Sequence, residues 1–141
     1  MFMQRNPQFR TRSTLPWVAL AMLLSASAST AQGKNLTPQT AGQISYVCGG
    51  VAQDEQQALN AEARNYNLSL LFTQGPSGEY LADVHVQITR HGKEVASFRA
   101  DGPRCLIKAP PASYNVIASY QGTTKRVTVQ TGSTRNVQLR W

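Results

Sequence analysis

Two histidines, two cysteines and seven acidic residues are all that 141 residues offer for metal binding or acid–base chemistry. Metal sites draw on three or four ligands. Neither His85 nor His91 has an acid or cysteine at ligand spacing in the sequence, so the chain implies no metal and no cofactor. A nucleophilic serine or cysteine needs a base beside it. His91 falls in a turn, and His85 falls on the outer side of a strand, where only a contact across the fold supplies a partner. The chain therefore reads as a non-enzyme. Gly49-Gly50 precedes a helical stretch but lacks the Lys-Ser/Thr of a P-loop and the third glycine of a dinucleotide site. It reads as a chain break that aims the helix. Aromatics are 8% of the chain and do not interleave with a basic stripe, which argues against nucleic-acid binding.

The long apolar run is Leu15 to Leu24, ten residues, too short to span a bilayer. Arg5, Arg10 and Arg12 precede it, and Ser29-Thr30-Ala31 follows as a small-x-small site. That order marks residues 1–31 as a secretory signal peptide, with Ala26-Ser27-Ala28 as a second possible cut. Cleavage at Ala31 leaves 110 residues, enough for one domain with its own core. Eleven Lys and Arg against seven acids then give a mature charge of +4. Export implies a periplasmic or secreted protein that spans no membrane after cleavage. An oxidising compartment makes two cysteines a pair, so Cys48–Cys105 is the expected disulfide.

Residues 32–45 are polar, with Gly33, Pro38 and Gly42, and read as a flexible leader before a domain at 46–141. Asn35-Leu36-Thr37 and Asn67-Leu68-Ser69 match the glycosylation sequon. Asp54 and Glu55 suit a helix N-terminus, where carboxylates oppose the dipole. Helix formers fill Gln56 to Arg64, and Leu59, Ala63 and Tyr66 share one face.

Strands follow. Leu68, Leu70 and Phe72 alternate in Asn67–Thr73; Val84, Val86 and Ile88 alternate in Leu81–Arg90. Glu94–Arg99 and Arg104–Lys108 lie between turns at His91-Gly92-Lys93 and Asp101-Gly102-Pro103. Tyr114, Val116, Ala118 and Tyr120 form one face of a strand that turns at Gln121-Gly122 into Val127 and Val129. Val137, Leu139 and Trp141 close the chain. About seven short strands with one short N-terminal helix predict a mainly β fold, an antiparallel β-sandwich.

Pro110-Pro111-Ala112-Ser113-Tyr114-Asn115-Val116-Ile117-Ala118, followed by a polar turn and Val127-Thr128-Val129, resembles the carboxypeptidase regulatory-like domains, small β-sandwiches of the transthyretin type. Their usual form is Leu-Pro-x-Gly-x-Tyr-x-Val; Ala109 and Ala112 stand where Leu and Gly are usual. Cys48-Gly-Gly-Val-Ala-Gln-Asp-Glu55, Tyr66-Asn-Leu-Ser-Leu-Leu-Phe72, Gly78-Glu-Tyr-Leu-Ala-Asp-Val-His-Val86 and Gly102-Pro103 extend the likeness to a group of small exported bacterial proteins of unassigned role. Cys48 and Cys105 both depart from that group's pattern, as a disulfide of this lineage would. The His-x-x-Glu and distal His of zinc carboxypeptidases are absent, so the likeness implies no peptidase activity.

The function expected is an exported accessory or binding module of the bacterial cell envelope. Its partner would be a protein, peptide or glycan, with Tyr46, Tyr80 and Tyr120 as candidate contact aromatics. The alternative is an envelope structural or assembly protein associated with the outer membrane. Val137-Gln-Leu-Arg-Trp141 looks like the last strand of a barrel, but barrel strands need about 9–11 residues.

Overall fold

A computed structural model describes residues 36–132 and 136–141. The expected signal peptide and residues 32–35 of the expected leader lie outside them. In chain order the elements are β1 (Gln39–Ala41), β2 (Ile44–Gly49), α1 (Gln53–Glu62), a 3-10 turn (Ala63–Asn65), β3 (Leu68–Gln74), β4 (Glu79–Tyr80), β5 (Val84–Arg90), β6 (Lys93–Ala100), β7 (Arg104–Lys108), β8 (Ser113–Tyr120), β9 (Thr123–Gln130) and β10 (Asn136–Arg140). One sheet runs β1-β2-β7-β3-β10 with β4 attached to β3; the other runs β6-β5-β8-β9. The fold is a β-sandwich with one short helix.

Alternation in the sequence becomes burial between the sheets. Leu68, Leu70, Phe72, Ile107, Val137 and Leu139 from the first sheet meet Val84, Val86, Ile88, Phe98, Val116, Ala118 and Val129 from the second in one core. The tight hairpins follow from local chemistry. Both His91-Gly92 and Gln121-Gly122 hold positive φ at both positions, the two-residue geometry that matches strand twist. The Pro-Pro approach to β8 is fixed by Tyr114, whose hydroxyl donates to the Pro110 carbonyl at 2.6 Å.

Three corrections concern the elements. The described strands number ten, not seven: β1, β2 and β4 are additional. The leader expected over residues 32–45 is folded from Gln39 on. Gln39, Thr40 and Ala41 pair with Tyr46, Ser45 and Ile44, and Ile44 is a core residue. The turn between them needs Gly42, at φ 59, because an added Cβ would lie 2.6 Å from the Val95 carbonyl oxygen. Finally, one pairing is not antiparallel: β10 runs parallel to β3, with Val137 beside Leu70 and Leu139 beside Phe72.

The helix packs on the outside of the first sheet. Leu59 is fully buried against Val47 and Leu106, with Ala63 and Tyr66 at the margin, the face the sequence marks out. No side chain caps α1 at Ala52. Glu55 instead turns its carboxylate back on the Gly-Gly break: Gly50 and Val51 both donate backbone N–H to its Oε2 at 3.1 Å. These are the amides a phosphate would need, so the chain's own carboxylate fills the cradle. Glu55 is only 7% exposed, and truncation would orphan two donors. Glu55→Ala is expected to lower stability by about 2 kcal/mol. Glu55→Gln, which keeps an acceptor, should lower it less. Urea midpoints at unchanged slope check the ranking.

The Asn67 sequon is also resolved. Its side-chain nitrogen donates to the Ala109 carbonyl at 2.7 Å, and its side-chain oxygen accepts from the Ala109 N–H at 3.0 Å. The amide is a structural clamp between β3 and the end of β7.

Candidate functional site

The expected functional residues scatter when placed on the fold. Tyr46 stacks on Phe98 with ring centroids 3.8 Å apart, and its hydroxyl donates to Gln39 at 2.8 Å. Burial, and after it the Asp101 carboxylate, raises its phenol above the usual 10.0, so the folded state holds that proton longer than the unfolded chain. Tyr120 sits edge-on to Trp141, whose indole donates to the Thr123 carbonyl at 2.9 Å. Both aromatics are engaged in packing. Tyr80, on β4, is 58% exposed and borders a concave surface on the first sheet.

That surface is a groove of about 450 Å³ on the outer face of the first sheet. Its floor comes from β3, β7 and β10. The register sets Arg104 beside Leu71, Asn136 beside Ser69 and Gln138 beside Leu71, so outward residues from three strands form one patch. Helix α1 supplies one wall through Gln56 and Asn60, and Tyr80 stands at the rim. The β-period explains the patch: the even-numbered neighbours Leu68, Leu70 and Phe72 face the core, which leaves Ser69, Leu71 and Thr73 for the opposite side.

Among the described residues Arg104 is the one charged residue lining the groove. Its Nε donates to Ser69 Oγ at 3.3 Å, and its Nη1 donates to Asn60 Oδ1. Neither acceptor carries charge. Gln138 donates to Thr73 Oγ1 at 2.9 Å, and Gln56 donates to the Gly50 carbonyl at 3.0 Å. An adjoining recess of about 260 Å³ shares Ser69, Arg104 and Asn136 and adds Arg64 and Tyr66, again without a carboxylate.

The cysteines lie on the other side of the first sheet. Cys48 and Cys105 are direct cross-strand partners on β2 and β7 and form the expected disulfide, with Cα atoms 4.1 Å apart. Cys105 is fully buried in the inter-sheet core. Among the described residues no group of three or more His, Cys, Asp or Glu could hold a metal ion.

One pairing escaped the sequence. His85 Nε2 lies 3.1 Å from Ser97 Oγ on the outer face of the second sheet. A serine beside a histidine is the start of a nucleophilic pair. Here no carboxylate orients the imidazole among the described residues, and neither residue lines any of the larger cavities. The signal for the contact was available only from the β5–β6 register, which sets Gln87 opposite Ser97 and so places His85 on the diagonal.

No family model matches the chain, and no curated protein matches it. Among the described residues no helix is long and apolar enough to cross a membrane.

Proposed function

We propose that the protein is an exported, non-enzymatic binding module of the bacterial cell envelope, built on a carboxypeptidase regulatory-like sandwich, and that it takes its ligand in the groove on the outer face of the first sheet. The observation that supports this reading is the groove itself. It combines an exposed aromatic, an apolar floor residue and a held cation in a concavity, the composition of a small-ligand site. Among the described residues Tyr80 is the only large aromatic exposed there, and it is not part of the sandwich core.

The Ser97–His85 pair favours the rival reading, a hydrolase. A catalytic serine works inside a cavity that excludes water and offers oxyanion donors, and this pair sits on an open strand face. The two readings separate cleanly. With p-nitrophenyl acetate and a peptide amide as substrates, we expect no turnover above that of a Ser97→Ala variant; turnover lost in Ser97→Ala and in His85→Ala would replace the module with an enzyme. On the binding side, Tyr80→Ala is expected to leave the unfolding midpoint within about 0.5 kcal/mol of the parent. The same change should weaken ligand binding by about tenfold if Tyr80 is a contact aromatic.

A further inference from the structure

We infer that the groove binds a short extended peptide through a carboxylate, with Arg104 as the anchor; the inference rests on the groove being the binding site. The argument begins with charge. Among the described residues no carboxylate lines the groove or its adjoining recess, so none of them neutralises the Arg104 charge where it stands. The side chain is nevertheless fixed, because Ser69 and Asn60 each accept one of its N–H groups. Its remaining N–H groups, on Nη1 and Nη2, have no partner among the described residues. A guanidinium offers a planar fork that matches two carboxylate oxygens, and charge assistance makes such bonds shorter and stronger than neutral ones. A fork already immobilised loses little entropy when the ligand arrives.

The surrounding carboxamides identify what carries the carboxylate. Gln56 and Gln138 are each tied through the side-chain nitrogen, and Asn60 through its oxygen. This leaves Gln56 Oε1, Gln138 Oε1 and Asn60 Nδ2 without partners among the described residues. Two acceptors and a donor suit the N–H and C=O groups of a peptide backbone. A sugar presents hydroxyls that both donate and accept, and carboxylates are strong acceptors for their O–H groups; among the described residues the groove has no carboxylate. Leu71 and Tyr80 give one ligand side chain an apolar surface. At about 450 Å³ the space is at the small end for ligand sites, which limits the occupant to two or three residues.

The test is a titration of the ¹⁵N-labelled protein, followed by amide and Arg104 Nε–H resonances. Three probes are used: a set of N-acetylated tripeptides with free C-terminal carboxylates, the same set as C-terminal amides, and galacturonic acid. We expect Ser69, Leu71, Arg104 and Gln138 to shift with the free acids, and affinity to fall about tenfold for the amides and for Arg104→Gln. Arg104→Lys, which keeps charge but loses the fork, should fall between. Equal affinity for acids and amides would overturn the Arg104 anchor and leave the groove as a peptide site. Shifts with galacturonic acid alone would overturn the peptide and leave the groove. No groove shift with any probe would overturn both. Spectra away from the groove report whether Arg104→Gln remains folded; if it does not, the acid–amide comparison on the unaltered protein decides.

Discussion

Gly102→Ala is expected to destabilise the protein by about 3 kcal/mol, far more than a methyl group in a turn ordinarily does. The reason is local and backbone-to-backbone. A Cβ at Gly102 would lie 2.5 Å from both the Cα and the carbonyl oxygen of Gly49, and 2.6 Å from its carbonyl carbon. No side chain can swing away to relieve that contact. Relief requires the end of β2 to part from the turn before β7, and with it the register that sets Gly49 opposite Arg104. Gly92→Ala is the control. Gly92 has φ 72 with nothing within 4 Å of an added Cβ, so only the conformational penalty applies, about 1 kcal/mol. Chemical denaturation of the two variants should give midpoints that differ strongly at equal slope. Equal shifts would mean that β2 yields freely to the Gly102 turn.

The same contact shows what could be read from the sequence and what could not. Strands β3, β5 and β8 are legible because their inward rows are uniformly apolar: Leu68-Leu70-Phe72, Val84-Val86-Ile88 and Tyr114-Val116-Ala118. Strand β2 carries Ile44, Tyr46 and Cys48 inward, a mixed row that follows polar residues and ends in two glycines, so its periodicity is masked. Strand β1 is polar and three residues long; pairing with β2, not propensity, makes it a strand. The disulfide is legible because a chain whose first residues read as an export signal and which carries two cysteines leaves one pairing.

The groove is illegible for a different reason. Ser69, Arg104, Asn136 and Gln138 lie on three strands well separated in sequence, and each reads singly as a solvated outer position. Only the β7-β3-β10 order collects them, and the parallel placement of β10 has no local signature. One clue was present. Leu71 is an apolar residue at an outward position, between the inward residues Leu70 and Phe72, where a solvated strand face would carry a polar group. A break in alternation of that kind marks either a second packing layer or a binding surface. On this sheet both occur side by side: helix α1 covers Val47 and Leu106, and the groove begins where that cover ends.

Removing the Cys48–Cys105 bridge is expected to cost about 4 kcal/mol, from the entropy of a closed loop with a sequence separation of 57. The structure changes where that loss should be felt. From the sequence, the N-terminal segment rests on the bridge and on Leu59, Ala63 and Tyr66 alone, so reduction should loosen it before the hairpin at 114–129. In the fold, β2 is a full member of the first sheet. Ser45, Tyr46, Val47, Cys48 and Gly49 each have a partner on β7, and Val47 is buried with Leu59 and Leu106. The bridge joins two strands that are already paired. Its contribution therefore lies in the unfolded chain, where it keeps distant segments together, more than in holding β2 in place. A Cys48→Ala/Cys105→Ala variant should lose hydrogen-exchange protection by a common factor at the slowest amides of both sheets, Val86 and Val116 as much as Val47. Protection lost in β1, β2 and α1 with Val116 unchanged would show instead that the bridge pins the N-terminal segment to an otherwise independent sandwich.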